Sequence, residues 1–494
     1  MAESNLFIRI GSISIENFKS VVHGSLALES LHAMPSSASI MGIYGQNGSG
    51  KTAIINALAV LQTLLLGKPL EEKLYECINV NAETAKLTFE LRFYRETDPD
   101  PIHDASVFYE VEIAREIKEK TIAEKDSSYL EEKAPRTEIR SEKLSIANYT
   151  DGSLKAFKKT LFVETSDLTK PFTPNSKYKQ FFGNKTSTFV SLLAERTLAD
   201  RECRSFIFSE VFSDSLFRFN SDTEKQTKGT ESPTNVELLL SLLRKLKAFA
   251  RRDFFVIDAA QSGFINLNTL PLRISSPEKP HVLFLPLNHS TKIRTSRVNV
   301  VKNVLNSLNV VLERIVPGLT IELAEIGREI DNTGNAVTCV QLVSKKENCQ
   351  IPLQYESDGI KKIISILDLL ICVYNRKSVV VAIDELDTGI FEYLLGELMR
   401  IISEHGQGQL VFTSHNLRPL ETIHKSFIAF TTANSKDCYT QLKNIKETNN
   451  LRSMYFRNLL LNADEKTLLY RPTDNFDIAR AFRKAGKDSE QRES

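Results

Sequence analysis

The chain has 494 residues, 41% hydrophobic and 25% charged, which is an ordinary globular composition. At this length it predicts two to four structural units, as lobes of one large domain or as separate domains. Lys and Arg number 63 against 62 Asp and Glu, so net charge gives no support for a nucleic-acid or anionic-membrane partner, and only a local basic groove stays open. Six scattered cysteines without a C-x-x-C pair exclude a disulfide framework or a zinc cluster as the organising feature. "MAESNLFIRIGSISIENF" has no basic segment followed by an apolar core, and no apolar run approaches ~20 residues. The expectation is a soluble cytoplasmic protein with no membrane partner.

In chain order, "LFIRIGSISIENF" alternates and predicts one or two strands, and "ASIMGIY" predicts a buried strand. "KTAIINALAVLQTLLL", residues 51–66, is a continuous apolar helix former. "KLTFELRFY" and "SVFYEVEIA" predict a strand pair, and the mixed-charge run after them predicts a solvated loop or a hairpin extension. From about residue 166 to 310 the spacing turns helical, in "TSTFVSLLAERTL", "NVELLLSLLRKLKAFARRDF" and "RVNVVKNVLNSLNVVLERIVPG". "SSPEKPHVLFLP" and "SDTEKQTKGTESPT" between them predict breakers or loops. No heptad pattern persists, so a long coiled-coil arm is not expected. Strand signals return at "LTIELAEIG", "AVTCVQLVS", "SVVVAID", "GQLVFTSHN" and "SFIAFTTAN", and the tail after about residue 441 is polar with amphipathic pieces.

Gly45-Gln46-Asn47-Gly48-Ser49-Gly50-Lys51-Thr52 fits the P-loop pattern G-x-x-x-x-G-K-[ST] in full, between a strand and a helix. Glycines let backbone N–H groups converge on phosphates, and the helix N-terminus adds its positive end. Lys51 is then expected at the β- and γ-phosphates of ATP, and the Thr52 hydroxyl on Mg²⁺. Val379 to Glu385, "VVVAIDE", is an apolar strand delivering two acids to its C-terminal edge. Asp384 is expected to hold Mg²⁺ through water, and Glu385 to orient or deprotonate the attacking water. "TSHN" ends another apolar strand and offers His415 to a γ-phosphate, although such a histidine taken alone is more often a structural hydrogen-bonder. Ser357-Asp358-Gly359 begins an amphipathic helix and reads by itself as a helix cap or as a ligand-binding turn.

The order of P-loop, Ser-x-Gly helix, Asp-Glu strand, "LDTG" loop and His strand resembles the ABC-type ATPase heads of the SMC, Rad50 and OLD-nuclease group. It looks most like the single-chain bacterial AAA15 ATPases, in which a helical insertion replaces the long coiled coil. "ESDGIKK", "IDELDTGIFEYLLGELM" and "GQLVFTSHNLRPLE" carry that likeness, and "IRSEKL" (Ile139 to Leu144) has the look of a first-lobe strand. The resemblance implies an α/β fold: a two-lobed P-loop NTPase head with mixed sheets, flanking helices and a helical insertion. The corresponding division is 1–165 for the P-loop lobe, 166–310 for a mainly helical insertion, 311–440 for the second lobe and 441–494 for a tail.

In such heads two chains sandwich two nucleotides. That implies an ATP-dependent homodimer or higher oligomer, with the P-loop, Asp384, Glu385 and His415 of one chain facing Ser357 and Gly359 of the other. Asp387 of the "LDTG" loop is then expected at the subunit contact. The signature departs from Leu-Ser-Gly-Gly: Asp358 separates Ser357 from Gly359, and Lys361 and Lys362 follow. OLD-type nucleases append a further acid-rich domain, and the stretch after the His strand holds no such cluster. Two functions remain open: an ATPase switch in bacterial anti-phage defence that controls a separate effector such as a nuclease, or a DNA-binding Rad50- or RecF-like maintenance ATPase. The balanced charge and the missing coiled coil favour the first.

Overall fold

The computed structural model describes residues 6–29, 37–97, 100–116, 135–148, 159–224, 235–258, 269–274, 281–347, 349–441, 450–460 and 475–490. Strands β1 (Leu6–Phe18), β2 (Val21–Ala27) and β3 (Ser39–Tyr44) precede helix α1 (Lys51–Leu65), and β4 (Thr84–Arg95), β5 (Ile102–Glu116), β6 (Arg136–Asn148) and β7 (Thr160–Glu164) follow it. Next come helices α2 (Asn175–Phe182), α3 (Thr186–Arg201), α4 (Glu210–Glu224) and α5 (Asn235–Arg252). Four short strands, β8 (Phe254–Ile257), β9 (Thr269–Ile274), β10 (His281–Pro286) and β11 (Thr291–Arg294), lead to α6 (Val298–Ile315). Then β12 (Leu319–Ile330), β13 (Ala336–Lys346) and β14 (Cys349–Pro352) precede α7 (Asp358–Asn375). The last part runs β15 (Val380–Ile383), α8 (Glu392–His405), β16 (Gln409–Thr413), α9 (Pro419–Thr422), β17 (Ile428–Thr431), β18 (Tyr439–Thr440), α10 (Leu451–Leu460) and α11 (Asn475–Glu490).

Two six-stranded sheets dominate. The first, in the order β2-β1-β4-β5-β6-β7, is antiparallel throughout. The alternation seen in the sequence of β4 reappears as alternating burial along the strand, with Ala85, Leu87, Phe89 and Leu91 all inside. The second sheet has the order β18-β17-β3-β16-β15-β8, with β17, β3, β16, β15 and β8 all parallel. Its strands are apolar on both faces because both are covered. On β15, Val380 and Ala382 belong to the core shared with α1 and the antiparallel sheet, and Val381 and Ile383 to the core shared with α6, α7 and α8. The first strand is tied to the parallel sheet by Gln409, whose side-chain amide both accepts from the Ile10 N–H and donates to the Ile10 carbonyl, each at 2.8 Å.

The α/β head architecture expected from the sequence is present, but the 166–310 segment is not one mainly helical insertion. Helices α2 to α5 end at Arg252, Phe254–Ile257 then enters the parallel sheet as its edge strand beside β15, and helix resumes at α6 (Val298–Ile315). The run "FFVI" is fully buried and rich in β-formers, yet it is only four residues long and follows a helix without a break, so it reads as the helix tail. "HVLFLP" is likewise a strand, pairing with "TLPLRI" despite a proline in each; residues 275–280 of the expected breaker lie outside the described residues. The P-loop strand also crosses the expected lobe boundary, because β3 sits between β16 and β17 of the C-terminal half. The charged run 117–134, and residues 225–234 of the second expected loop, lie outside the described residues too. Among the described residues no helix exceeds 18 residues, and none is long and apolar enough to cross a membrane.

Candidate active site

Because β3, β8, β15 and β16 are parallel, their C-terminal ends share one edge. Tyr44 there gives way to the P-loop, Ile257 to Asp258, Ile383 to Asp384 and Glu385, and Thr413 to Ser414 and His415. Parallel topology therefore gathers groups that lie hundreds of residues apart.

Gly45, Gly48 and Gly50 all have positive φ, which turns the loop back over the start of α1. At Gly50 (φ 101) a side chain is barred twice: the conformation is left-handed, and a Cβ would lie 2.7 Å from Val21 and 2.9 Å from the Cys438 sulfur. No side chain caps α1, and apart from Ala53, whose N–H donates to the Gly50 carbonyl at 3.2 Å, the amides at its start are available to an anion. Lys51 is buried and donates to the Gly45 carbonyl at 2.8 Å and the Gln46 carbonyl at 3.0 Å. Burial holds its ammonium below the usual lysine range, with Asp384, Glu385 and Asp387 pulling the other way.

The acids are held as firmly. Asp384 is buried, and its Oδ1 accepts from the Thr413 hydroxyl at 2.5 Å and the Thr52 hydroxyl at 3.4 Å. Burial raises its pKa; the Thr413 and Thr52 bonds oppose this, and the nearby Asp258 and Glu385 charges add to it. Glu385 takes the left-handed conformation (φ 47), rare for a residue with a side chain, and its N–H donates to the Thr413 Oγ1 at 2.7 Å. His415 follows on a turn fixed by Asp387, whose Oδ2 accepts from the His415 and Asn416 amides at 3.1 and 3.0 Å. A cavity of about 290 Å³ opens on this edge, lined by P-loop residues with Lys19, Thr52, Glu385, Thr413 and His415. A larger cavity of about 420 Å³ lies beside it along α1 and shares Lys19.

Ser357 and Gly359 do not line that cavity. Ser357 caps α7, its Oγ accepting from the Ile360 N–H at 3.4 Å, and it is exposed. Asp358 is 98% exposed and pairs with Lys361 at 2.9 Å. Gly359 packs directly on the "LDTG" loop, where a Cβ would come within 2.3 Å of the Gly389 carbonyl oxygen. The structure thus brings the P-loop, Asp384, Glu385 and His415 together and leaves the Ser357 turn facing outward.

Several residues at the site escaped the sequence reading. Lys19 of "ENFKS" reaches it from the β1–β2 turn and donates to the Asn56 side chain. Thr413 bridges Asp384 and Glu385. The β17–β18 hairpin clasps the P-loop: the Thr431 hydroxyl meets that of Ser49 at 2.5 Å, the Tyr439 hydroxyl donates to the Gly50 carbonyl at 2.8 Å, and Cys438 lies 3.0 Å from the Ser49 carbonyl. No local pattern marks any of these.

The donor set fits a nucleoside triphosphate with a divalent cation: amides at a helix start, two lysines (Lys51 and Lys19), and a hydroxyl and carboxylate converging at 3.4 Å. Among the described residues no cluster of three or more His, Cys, Asp or Glu could hold a metal alone. A hard cation here therefore depends on phosphate and water oxygens for the rest of its shell.

A P-loop at the edge of a doubly covered parallel sheet, opposite the buried Asp384 and the half-buried Glu385, defines a P-loop ATPase head. Residues 9–418 match the AAA_15 family model, an AAA ATPase domain, and the chain belongs to that family. No curated protein matches it. Among solved structures it is similar to an SMC head bound to the C-terminal winged-helix domain of ScpA, at 12% identity over 88% of this chain and 98% of that one (TM-score 0.39). It is also similar to a Pyrococcus furiosus SMC head with an extended coiled coil bound to the C-terminal domain of ScpA, at 11% over 92% and 100% (TM-score 0.39). The SMC head domain from Thermotoga maritima gives 13% over 88% and 99% (TM-score 0.31).

Proposed function

We propose that this ATPase works as a two-chain switch: ATP bound in the P-loop pocket of one copy is closed over by the Ser357–Gly359 turn of another. The observation that carries this reading is the separation of the two halves. The turn is exposed at the head of α7 and absent from the lining of its own pocket. Ser357 caps only the Ile360 amide, by a long bond of 3.4 Å, so this helix start keeps its positive end for an anion that the second chain supplies.

Within the pocket, the amides of Gly45 to Thr52 cradle the phosphates and Lys51 reaches the β- and γ-phosphates. Thr52 and Asp384 would hold Mg²⁺, and the ion would supply charge neutralisation at the phosphates. Glu385 orients and deprotonates the attacking water, and His415 contacts the γ-phosphate. The assembly formed in this way controls a separate effector protein, such as a nuclease, in a bacterial anti-phage module. The net charge of +1 supports a protein partner over DNA.

Sedimentation of the full chain with ATP and Mg²⁺, with and without duplex DNA, tests both parts. The switch reading expects a nucleotide-dependent increase in mass that DNA does not alter. A monomer at saturating ATP removes the two-chain reading. Salt-sensitive DNA binding with stimulated turnover replaces the effector with DNA, as in a Rad50- or RecF-like maintenance ATPase.

A further inference from the structure

We propose that Lys362 is a positioning residue for ATP hydrolysis: its ammonium holds the Glu385 main chain in its left-handed conformation and ties that residue to the helix headed by the Ser357 turn. The inference rests on the reading of Glu385 as the group that activates water.

The geometry is specific. Lys362 lies on the second turn of α7 and is only 3% exposed, and its Nζ donates to the Glu385 carbonyl at 3.1 Å. A non-glycine residue at φ 47 is held only where its surroundings fix it. For Glu385 both flanking groups are fixed, the N–H by Thr413 Oγ1 and the carbonyl by Lys362 together with the Thr388 N–H, also at 3.1 Å. The next amide, that of Leu386, donates to the Thr413 carbonyl at 3.0 Å. Removing the lysine takes away this tie to α7 and leaves the Glu385 carbonyl and carboxylate to the Thr388 N–H and hydroxyl of the same loop, at 3.1 and 3.3 Å.

Fold stability does not explain a lysine at this position. Its neighbours on the helix, Ile363, Ile364 and Ile366, are all buried and apolar. A buried ammonium is costly, and an apolar side chain of similar volume is often neutral or better for stability. Burial depresses the Lys362 ammonium to about 8, against the pull of Asp387, Glu385 and Asp384, which surround it. Asp387 leaves its Oδ1 buried without a hydrogen bond, so this acid group is incompletely satisfied by the rest of the protein.

The same helix start carries the coupling. Gly359 and Gly389 pack backbone on backbone, with Gly359 Cα 3.1 Å from where a Gly389 Cβ would stand. Asp387, two residues before Gly389, pins the His415 turn. A shift of the Ser357 turn on meeting a nucleotide is therefore felt at Glu385 through Lys362 and at His415 through Asp387. Both links are single hydrogen bonds at 3.1 Å, the Lys362 one half-buried and the Asp387 one exposed.

The test compares ATP turnover and equilibrium binding of a fluorescent ATP analogue in the full chain carrying Lys362→Met, Glu385→Gln, both, or neither. Lys362→Met should lower kcat at least ~30-fold and leave nucleotide affinity within about threefold, the split expected when only transition-state positioning is lost. In the Glu385→Gln background it should cause no further loss, because the two residues act as one unit. Wild-type kcat in Lys362→Met overturns the proposal, and so does an equal loss in both backgrounds, which marks a general structural defect. If Lys362→Met does not fold, Lys362→Gln, a shorter neutral donor, takes its place under the same two criteria. A wild-type chain that binds ATP without turning it over overturns the hydrolysis reading itself, and the role of Lys362 with it.

Discussion

The two halves of the candidate nucleotide site are built on opposite terms. The P-loop half is fixed from every side: Thr431, Cys438 and Tyr439 clasp its backbone, Lys51 is folded onto its carbonyls, and Thr413 locks the two acids opposite. The Ser357 half is an exposed helix start with one long cap bond and a surface ion pair between Asp358 and Lys361. A cradle needs its amides aligned before the ligand arrives, so it is made rigid. A docking surface needs access, so it is left open. On the proposed two-chain reading, nucleotide binding belongs to one chain and turnover to two, and each prediction below tests that division.

The largest effect is expected at Glu385. Glu385→Gln keeps the shape and removes the base, so turnover should fall by roughly 10²–10⁴ while ATP stays bound and the assembly persists. Rapid-quench and sedimentation measurements on one sample decide it, and wild-type hydrolysis would remove Glu385 from the base role. Lys51→Ala comes next. Losing a charge-assisted phosphate contact should weaken ATP by roughly 100-fold, equivalent to about 3 kcal/mol, read by equilibrium binding.

Ser357→Arg attacks the other half. On an exposed turn it should spare nucleotide affinity but abolish ATP-dependent assembly and lower turnover by at least ~10-fold. The sharper form mixes two dead proteins. A Lys51→Ala chain supplies an intact turn and a Ser357→Arg chain an intact P-loop, so the mixture should regain hydrolysis that neither shows alone. Failure to regain it would mean that each chain completes its own site.

What the sequence disclosed follows the same division. The P-loop and the acid strand are legible because their chemistry requires contiguous residues: a glycine turn between strand and helix, and two acids directly after an apolar run. The parallel sheet was legible where strands were long enough to alternate or to end in a motif. Phe254–Ile257 was not, because four buried residues after Arg251-Arg252 continue the apolar content of a helix. Lys19, Lys362 and Thr413 were not, because their roles come from partners that only the fold brings near. Gly359 shows a further limit. As a motif letter it reads as a ligand contact, and the structure adds a packing reason, the Gly389 carbonyl at 2.3 Å from any Cβ. Gly359→Ala should therefore destabilise the fold by about 1–3 kcal/mol, seen as a lower midpoint in denaturant with no nucleotide present.

The effect expected to leave nucleotide chemistry untouched, and the one that isolates α7 as a structural element, concerns Asp368 three turns below the Ser357 cap. Burial pushes this carboxyl up to about 6, against the Arg273 backbone N–H, which donates to its Oδ2 at 3.2 Å, and the charges of Arg273 and Arg376. The folded-state pKa lies above the ordinary value of 3.8, so between those two pH values the native chain holds a proton that the unfolded chain has lost. The protonated form supports the fold fully below pH ~4, and that support is lost as pH rises through about 6. Asp368→Asn retains an acceptor for the Arg273 amide and removes the charge. It should stabilise the chain at pH 8 by on the order of 2 kcal/mol, and the gain should shrink through the pH 6 to 4 window and vanish below it. Because Asp368 touches neither half of the site, ATP affinity should not change. A stability gain of equal size at pH 8 and pH 3.5 would show that the buried charge is not its source.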